Sequence, residues 1–306
     1  NISYIFSNLQ TITSLDISYL NISLLTNLDY LFSDCIKLQK INLSYINTYY
    51  IESMRGMFNN CKALPNIDLS GLITDNVYDI SYMFGNCIKL NPLNLSTFNT
   101  SNIINMISIF EGCTGLQILD ISNWDFSKIT NTIDIFHDLN RIYSIKMVND
   151  NIYNILNVTK LFSNLQTLTS LDISYINISS LTSLEYMFSD CTKLQIINLS
   201  NIDASNIQNM SYIFYNCKVL TNVDFTDFKT KNVKDMSYMF ENCAALKLLN
   251  LSSFNTSNVI NITSIFEGCN TLNTIDISNW DFSKITYSID IFHGLKVIAN
   301  IKMVNA

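Results

Sequence analysis

Residues 79–104 read DISYMFGNCIKLNPLNLSTFNTSNII, and the same pattern returns every 26 residues along the chain. Cysteine marks the period, at Cys35, Cys61, Cys87 and Cys113, then at Cys191, Cys217, Cys243 and Cys269. The gap from Cys113 to Cys191 is three periods, and Leu139 and Leu165 fill the skipped slots, as Leu9 and Leu295 fill the outer ones. Three residues before each slot stands a phenylalanine, from Phe6 through Phe32, Phe58, Phe84, Phe110, Phe136, Phe162, Phe188, Phe214, Phe240 and Phe266 to Phe292. A phenylalanine in all twelve slots at one fixed period marks twelve copies of one structural unit.

A longer period lies on top. Residues 1–150 match residues 157–306 at 94 of 150 positions. The chain therefore reads as two six-repeat blocks, residues 1–156 and 157–306, expected to continue one another in a single solenoid.

Within the unit, Leu93 and Leu95 alternate with Asn94 and Ser96, the period-two pattern of a short strand with one face buried. Ile80, Met83 and Phe84 fall at i, i+3 and i+4, which predicts one turn of amphipathic helix. The fold class expected is an α/β solenoid, leucine-rich-repeat-like, with twelve 26-residue coils of one short strand and one short helix each. A single coil cannot cover its own apolar face, so stacking must supply the core. Its predicted core column is Phe32, Phe58, Phe84, Phe110, Phe188, Phe214, Phe240 and Phe266. Hydrophobic residues make up 48% of the chain, enough for such a core. With only seven Gly and two Pro, the corners fall to Asn, Asp and Ser, whose side chains bond to local backbone.

Charge narrows the partners. A net charge of −7 argues against nucleic acid, whose phosphates call for clustered Lys and Arg. No apolar run approaches the ~18–20 residues of a spanning helix. The chain shows no signal peptide at Asn1, so it reads as intracellular, already processed or an excerpt.

The outward strand position carries Asp16, Asn42, Asp68, Asn94, Asp120 and Lys146, then Asp172, Asn198, Asp224, Asn250, Asp276 and Lys302. Acid and amide alternate, and a lysine closes each block. Two carboxylates one rung apart repel by ~1 kcal/mol even in water, and an interposed amide removes that contact. Asn is expected to donate to the flanking carboxylates, and Lys146 to pair with Asp120 and Asp172. The ten acid and amide positions form the candidate ligand face, weighed against a plain solvated sheet surface.

Other residues offer less chemistry. The cysteines read as buried thiols, ahead of disulfides or a metal site, since no C-x-x-C spacing occurs. His137 and His293 share one repeat slot without a common nucleophile or acid beside them. Tyr4, Tyr30, Tyr82, Tyr186, Tyr212 and Tyr238 recur two residues before the core Phe, as core shields or a contact row. Twelve N-x-S/T sequons, among them those of Asn42, Asn99 and Asn209, fall at repeat positions and read as by-products of the repeat. No phosphate loop, zinc cluster or nucleophile–base pair is present in the sequence, so no enzyme and no cofactor is expected.

The unit F-x-N-C-x-x-L-x-x-L-D-L-S-x-F-x-T-S-N-V-x-N-M resembles the 26-residue repeat of bacterial surface proteins, the BspA-like, leucine-rich-repeat-like group. The match is cleanest over residues 79–125 and 209–281, and weakest in repeats six and twelve, where Ile145 to Val148 replace L-D-L-S. The resemblance implies an extracellular, cell-surface array for adhesion or protein–protein interaction, with no catalytic residues. Its partner would be a protein or glycan on a host or neighbouring cell. The alternative is a structural filament or sheath subunit of copies joined end to end, suggested by a first repeat that starts in register without a polar cap.

Overall fold

In the segment that carries the core phenylalanine, backbone N–H groups point alternately to the same coil and to the next one. The computed structural model describes residues 2–129, 132, 134–147, 153–154, 157–173, 176–200 and 202–303. Val148 and Asn1, both cited from the sequence, lie outside the described residues. Coils are numbered here by their phenylalanine, from Phe6 in coil 1 to Phe292 in coil 12.

In coil 4, Ile80, Tyr82, Phe84 and Asn86 donate to the carbonyls of Asn105, Ile107, Ile109 and Glu111 at 3.0, 2.9, 3.0 and 2.6 Å. The amides between them close tight turns within the coil: Met83 to Ile80, Gly85 to Tyr82 and Cys87 to Phe84, at 3.1, 3.0 and 3.1 Å. This disposes of every backbone donor from Met83 to Cys87 without a helix.

The helix expected from Ile80, Met83 and Phe84 does not form, and among the described residues there is no α-helix at all. The reason is two left-handed residues per coil. Tyr82 has φ 57° and Asn86 φ 58°, the third positions of successive turns, where type II geometry demands positive φ. Asn86 and its counterparts, such as Asn60, Asp190, Asn216 and Gly268, are Asn, Asp or Gly, the types that reach this region at least cost. A residue held there cannot continue a right-handed helix. Ile80, Met83 and Phe84 are all fully buried, but on a chain of turns.

The chain divides into two compact units, Asn1–Tyr153 and Asn154–Ala306. The first holds β1 (Ser14–Asp16), β2 (Lys40–Asn42), β3 (Leu93–Asn94), β4 (Ile118–Asp120) and β5 (Ser144–Lys146), with β6 (Tyr153–Asn154) at the division. Here β1 pairs with β2, and β3, β4 and β5 form one parallel sheet. Its register sets Leu93 against Leu119 and Leu119 against Ile145, one full repeat apart. The second unit holds β7 (Ser170–Asp172), β8 (Ile176–Asn177), β9 (Ile196–Asn198), β10 (Asn222–Asp224), β11 (Leu248–Asn250), β12 (Thr274–Asp276) and β13 (Asn300–Lys302). Two parallel sheets, β7-β9-β10 and β11-β12-β13, repeat the same register. A second line of parallel bridges crosses the coil, Asn27 to Ser53 to Asp79 to Asn105 in the first unit and Ser183 to Asn209 to Asp235 to Asn261 in the second. Each unit is thus a β-solenoid of turns and very short strands.

Inside each unit the phenylalanines form a stacked column. Ring centroids are 5.4 to 6.3 Å apart from Phe6 to Phe136. They are 5.6 to 6.2 Å apart from Phe162 to Phe292. Beside them, each cysteine thiol points at the phenylalanine carbonyl one coil back, as Cys113 does at Phe84, 2.9 Å away. The slot therefore favours a small side chain that is apolar in bulk yet has a weak donor. All eight cysteines are buried and free. Burial pushes the thiols of Cys113, Cys191 and Cys269 up to about 12.

The T-S-N corner is a second clamp. Thr100 is buried, and its hydroxyl accepts from the Asp125 amide at 2.6 Å while donating to the Asp125 carbonyl at 3.3 Å, one coil ahead. Asn102 reaches one coil back to the Asp75 carbonyl at 2.7 Å. Thr74, Thr230 and Thr256 repeat the forward clamp, and Asn232 and Asn258 the backward one.

Candidate functional site

The polar ladder stands on the outer strand face, where Leu93 is buried, Asn94 exposed and Leu95 buried again. Its side chains first serve the turn that ends the strand. Asp68 accepts from the Ser70 amide at 3.0 Å and the Ser70 hydroxyl at 2.7 Å, and Asp224 does the same with Thr226 at 2.9 and 2.7 Å. Asn94 and Asn250 accept the amides of Ser96 and Ser252, both at 3.0 Å. The same Asn/Asp-x-Ser/Thr turn recurs at Asn99, Asn209 and Asn261. The sequons of the described residues are therefore the signature of a side-chain-capped turn, with the asparagine carbonyl already engaged. The hydrogen bonds from Ser70 and Thr226 hold the Asp68 and Asp224 carboxyls below their ordinary value, so both are ionised at neutral pH.

Contact between rungs is sparser than the alternation suggests. Asn42 donates to Asp16 across one coil at 3.1 Å. Lys146 and Lys302 reach Asp120 and Asp276 at 3.4 and 2.9 Å, exposed pairs worth about 0–1 kcal/mol each. Among the described residues, the second oxygen of Asp68 and the amide nitrogens of Asn94 and Asn250 make no hydrogen bond, because the turn fixes each side chain by its other end. Within the second unit, Asp172, Asn198 and Asp224 stand in register along β7, β9 and β10.

A shallow concavity follows the ladder in each unit. The first, of about 630 Å³, runs over Asp16, Asn42 and Asp68, with Lys40 and Tyr45 at its sides. The second, of about 310 Å³, lies where the sheet is interrupted between β10 and β11, over Asp224 and Asn250. Tyr45 is 86% exposed and has φ 64°, and among the described residues no other ring stacks on it. The recurrent tyrosines form a separate row: Tyr186, Tyr212 and Tyr238 stack at 4.4 and 4.5 Å, with Lys160 over the first ring at 5.3 Å. In the first unit the Arg55 guanidinium lies 5.2 Å from the Tyr82 ring and donates to the Tyr30 hydroxyl at 2.9 Å. These rings support one another, each in the left-handed turn position. His293 meets Glu267 at 2.9 Å, whereas His137 lies 3.5 Å from Asp138, so the shared slot has no shared partner.

A family model described as "Mycoplasma protein of unknown function, DUF285" matches residues 1–92, 65–145, 143–248 and 219–305. The chain belongs to this family. No curated protein matches it in sequence. Among solved structures, a leucine-rich repeat protein from Bacteroides ovatus is similar at 17% identity and a TM-score of 0.49, over 90% of this chain and 63% of the other. A leucine rich cell surface protein from Faecalibacterium prausnitzii is similar at 15% identity and a TM-score of 0.42, over 99% of this chain and 76% of the other. An internalin from Listeria monocytogenes follows at 18% identity and 0.31, over 97% and 88%. The DUF285 chain thus spans just under two thirds of the Bacteroides protein's length.

Sequence reasoning placed the ladder but passed over Tyr45. The signal was present in the D/N-L-S-x slot, where later coils carry Gly71, Thr97 and Asn123, small or turn-forming types, and only coils 1 and 2 of the first block carry tyrosine. Among the described residues, no three His, Cys, Asp or Glu side chains converge as a metal site would need, and no helix is long and apolar enough to cross a membrane.

Proposed function

We propose that this DUF285 chain is a non-catalytic, cell-surface repeat array whose strand face binds a partner on another cell or in its matrix. The observation that carries this reading is the combination of ladder and concavities. Each unit exposes a row of carboxylate and amide groups one coil apart, with hydrogen-bonding capacity left over and a groove along it. Such periodic, extended surfaces suit macromolecular partners, because each coil adds the same contact again. The BspA-like character of the repeat supports a surface location and a role in adhesion, and the polar chemistry of the ladder offers neither a nucleophile with its base nor a metal centre.

The test is adhesion of the fluorescently labelled array to cultured cells and to matrix-coated surfaces. Asn94→Arg and Asn250→Arg place bulk and charge on the exposed ladder without touching the core. The expected result is loss of adhesion in the double variant and retention in Asn123→Arg, on the neighbouring corner. Equal adhesion by all three proteins overturns the reading. Rods lengthening with concentration in electron micrographs, with no adhesion at all, would favour the end-to-end filament instead.

A further inference from the structure

The groove of the first unit contains one residue that the fold does not explain. Tyr45 holds a left-handed backbone conformation, φ 64°, which a bulky side chain rarely adopts. Of the left-handed tyrosines of the turn chain, Tyr30, Tyr82, Tyr186, Tyr212 and Tyr238 are half-buried, and the more exposed Tyr4 stacks on Tyr30 at 4.9 Å, as Tyr186, Tyr212 and Tyr238 stack on one another. Tyr45 does neither. Its ring is 86% exposed at the rim of the 630 Å³ groove. Backbone strain without a packing return is a mark of functional positions.

The floor of that groove supplies the complementary chemistry. Asp68 presents an ionised carboxylate with one oxygen unused, Asn42 and Asp16 form a hydrogen-bonded amide–carboxylate pair beside it, and Lys40 lies at the edge. An exposed flat ring beside fixed acceptors and donors suits a ligand with a C–H-rich face and hydroxyls that both donate and accept. We propose that the groove over coils 1 to 3 binds a neutral glycan chain, one pyranose lying on the Tyr45 ring and its hydroxyl donating to the free oxygen of Asp68. The rungs stand ~4.8 Å apart, close to the length of one sugar unit, so successive sugars meet successive rungs. The two carboxylates and the net charge of −7 oppose an anionic glycan.

This inference rests on the strand face being the binding surface and adds the ligand class. Native gels cast with galactomannan, xyloglucan, mixed-linkage β-glucan or soluble starch test it, with heparin as the anionic control. Tyr45→Gly keeps the backbone conformation accessible and so keeps the fold, and Asp68→Ala removes the acceptor. The expected result is retardation of the parent in at least one neutral gel, and at least tenfold weaker binding by both variants. Retardation in none of the neutral gels, retardation unchanged in Tyr45→Gly, or retardation by heparin alone overturns it. Cell adhesion that survives Tyr45→Gly but is lost with the ladder arginines would refute the glycan site and leave the wider reading standing.

Discussion

Replacing Phe110 by alanine tests the stacked column at a fully buried position. The ring is fully buried and lies 6.1 Å from Phe84, 6.3 Å from Phe136 and 6.0 Å from Trp124. Phe-to-Ala changes in rigid cores cost ~3–5 kcal/mol. The three facing rings are each worth ~0.5–1.5 kcal/mol beyond their area, which places this site at the upper end of that range. Relaxation offers little relief, because the neighbouring rings are held by the backbone bonds between coils. For a unit of about 150 residues, ~5 kcal/mol corresponds to a fall of roughly 10–20 °C in the melting of residues Asn1–Tyr153. Phe292 stands at the end of the second unit's column and is 38% exposed, so Phe292→Ala should cost about 1–2 kcal/mol. Urea titration combined with amide hydrogen exchange reads both the size and the place of the loss. A Phe110→Ala protein within about 1 kcal/mol of the parent, or an equal loss in Phe292→Ala, would refute the reasoning.

Two further outcomes follow from the titrating groups. Asp16, Asp68, Asp224 and Asp276 all have folded-state values below the ordinary one, so each stabilises the fold above the unfolded carboxylate value of ~3.9, and that stability is lost as pH falls through the lower folded value. Melting temperature should drop as pH falls below about 4 by this account; a rise over that range contradicts it. Burial holds the Cys113, Cys191 and Cys269 thiols protonated well above neutrality, so iodoacetamide at pH 8 should label them only after denaturant is added. Rapid labelling of the native protein, followed by mass spectrometry, would show that the column is open.

Much of this architecture was legible in the sequence because it is periodic. Leu93, Asn94 and Leu95 show their alternation directly, and the phenylalanine slots announce the column before any coordinate is known. The helix was misread for a definite reason. Ile80, Met83 and Phe84 at i, i+3 and i+4 satisfy a helical face, and Asp79 accepting the Ser81 amide imitates a helix start. The contrary signal was the slot of Asn86, filled throughout by Asn, Asp or Gly, which asks for positive φ once per coil. Bonding between rungs could not be read, because it depends on which oxygen the turn at Ser70 or Ser96 has already taken. The thiol-to-carbonyl contacts were equally hidden, since spacing alone does not aim a side chain.

The stacking register is open to a direct chemical measurement. Asn94 and Asp120 face each other on adjacent parallel strands, close enough for a disulfide after substitution by cysteine. Ser122, two residues further along, lies beyond reach of Asn94 if the register is one repeat. Under mild oxidation, Asn94→Cys with Asp120→Cys should cross-link quickly and nearly completely, while Asn94→Cys with Ser122→Cys should remain reduced. Equal cross-linking of both pairs, or a preference for the second, would contradict the stack of coils in 26-residue register.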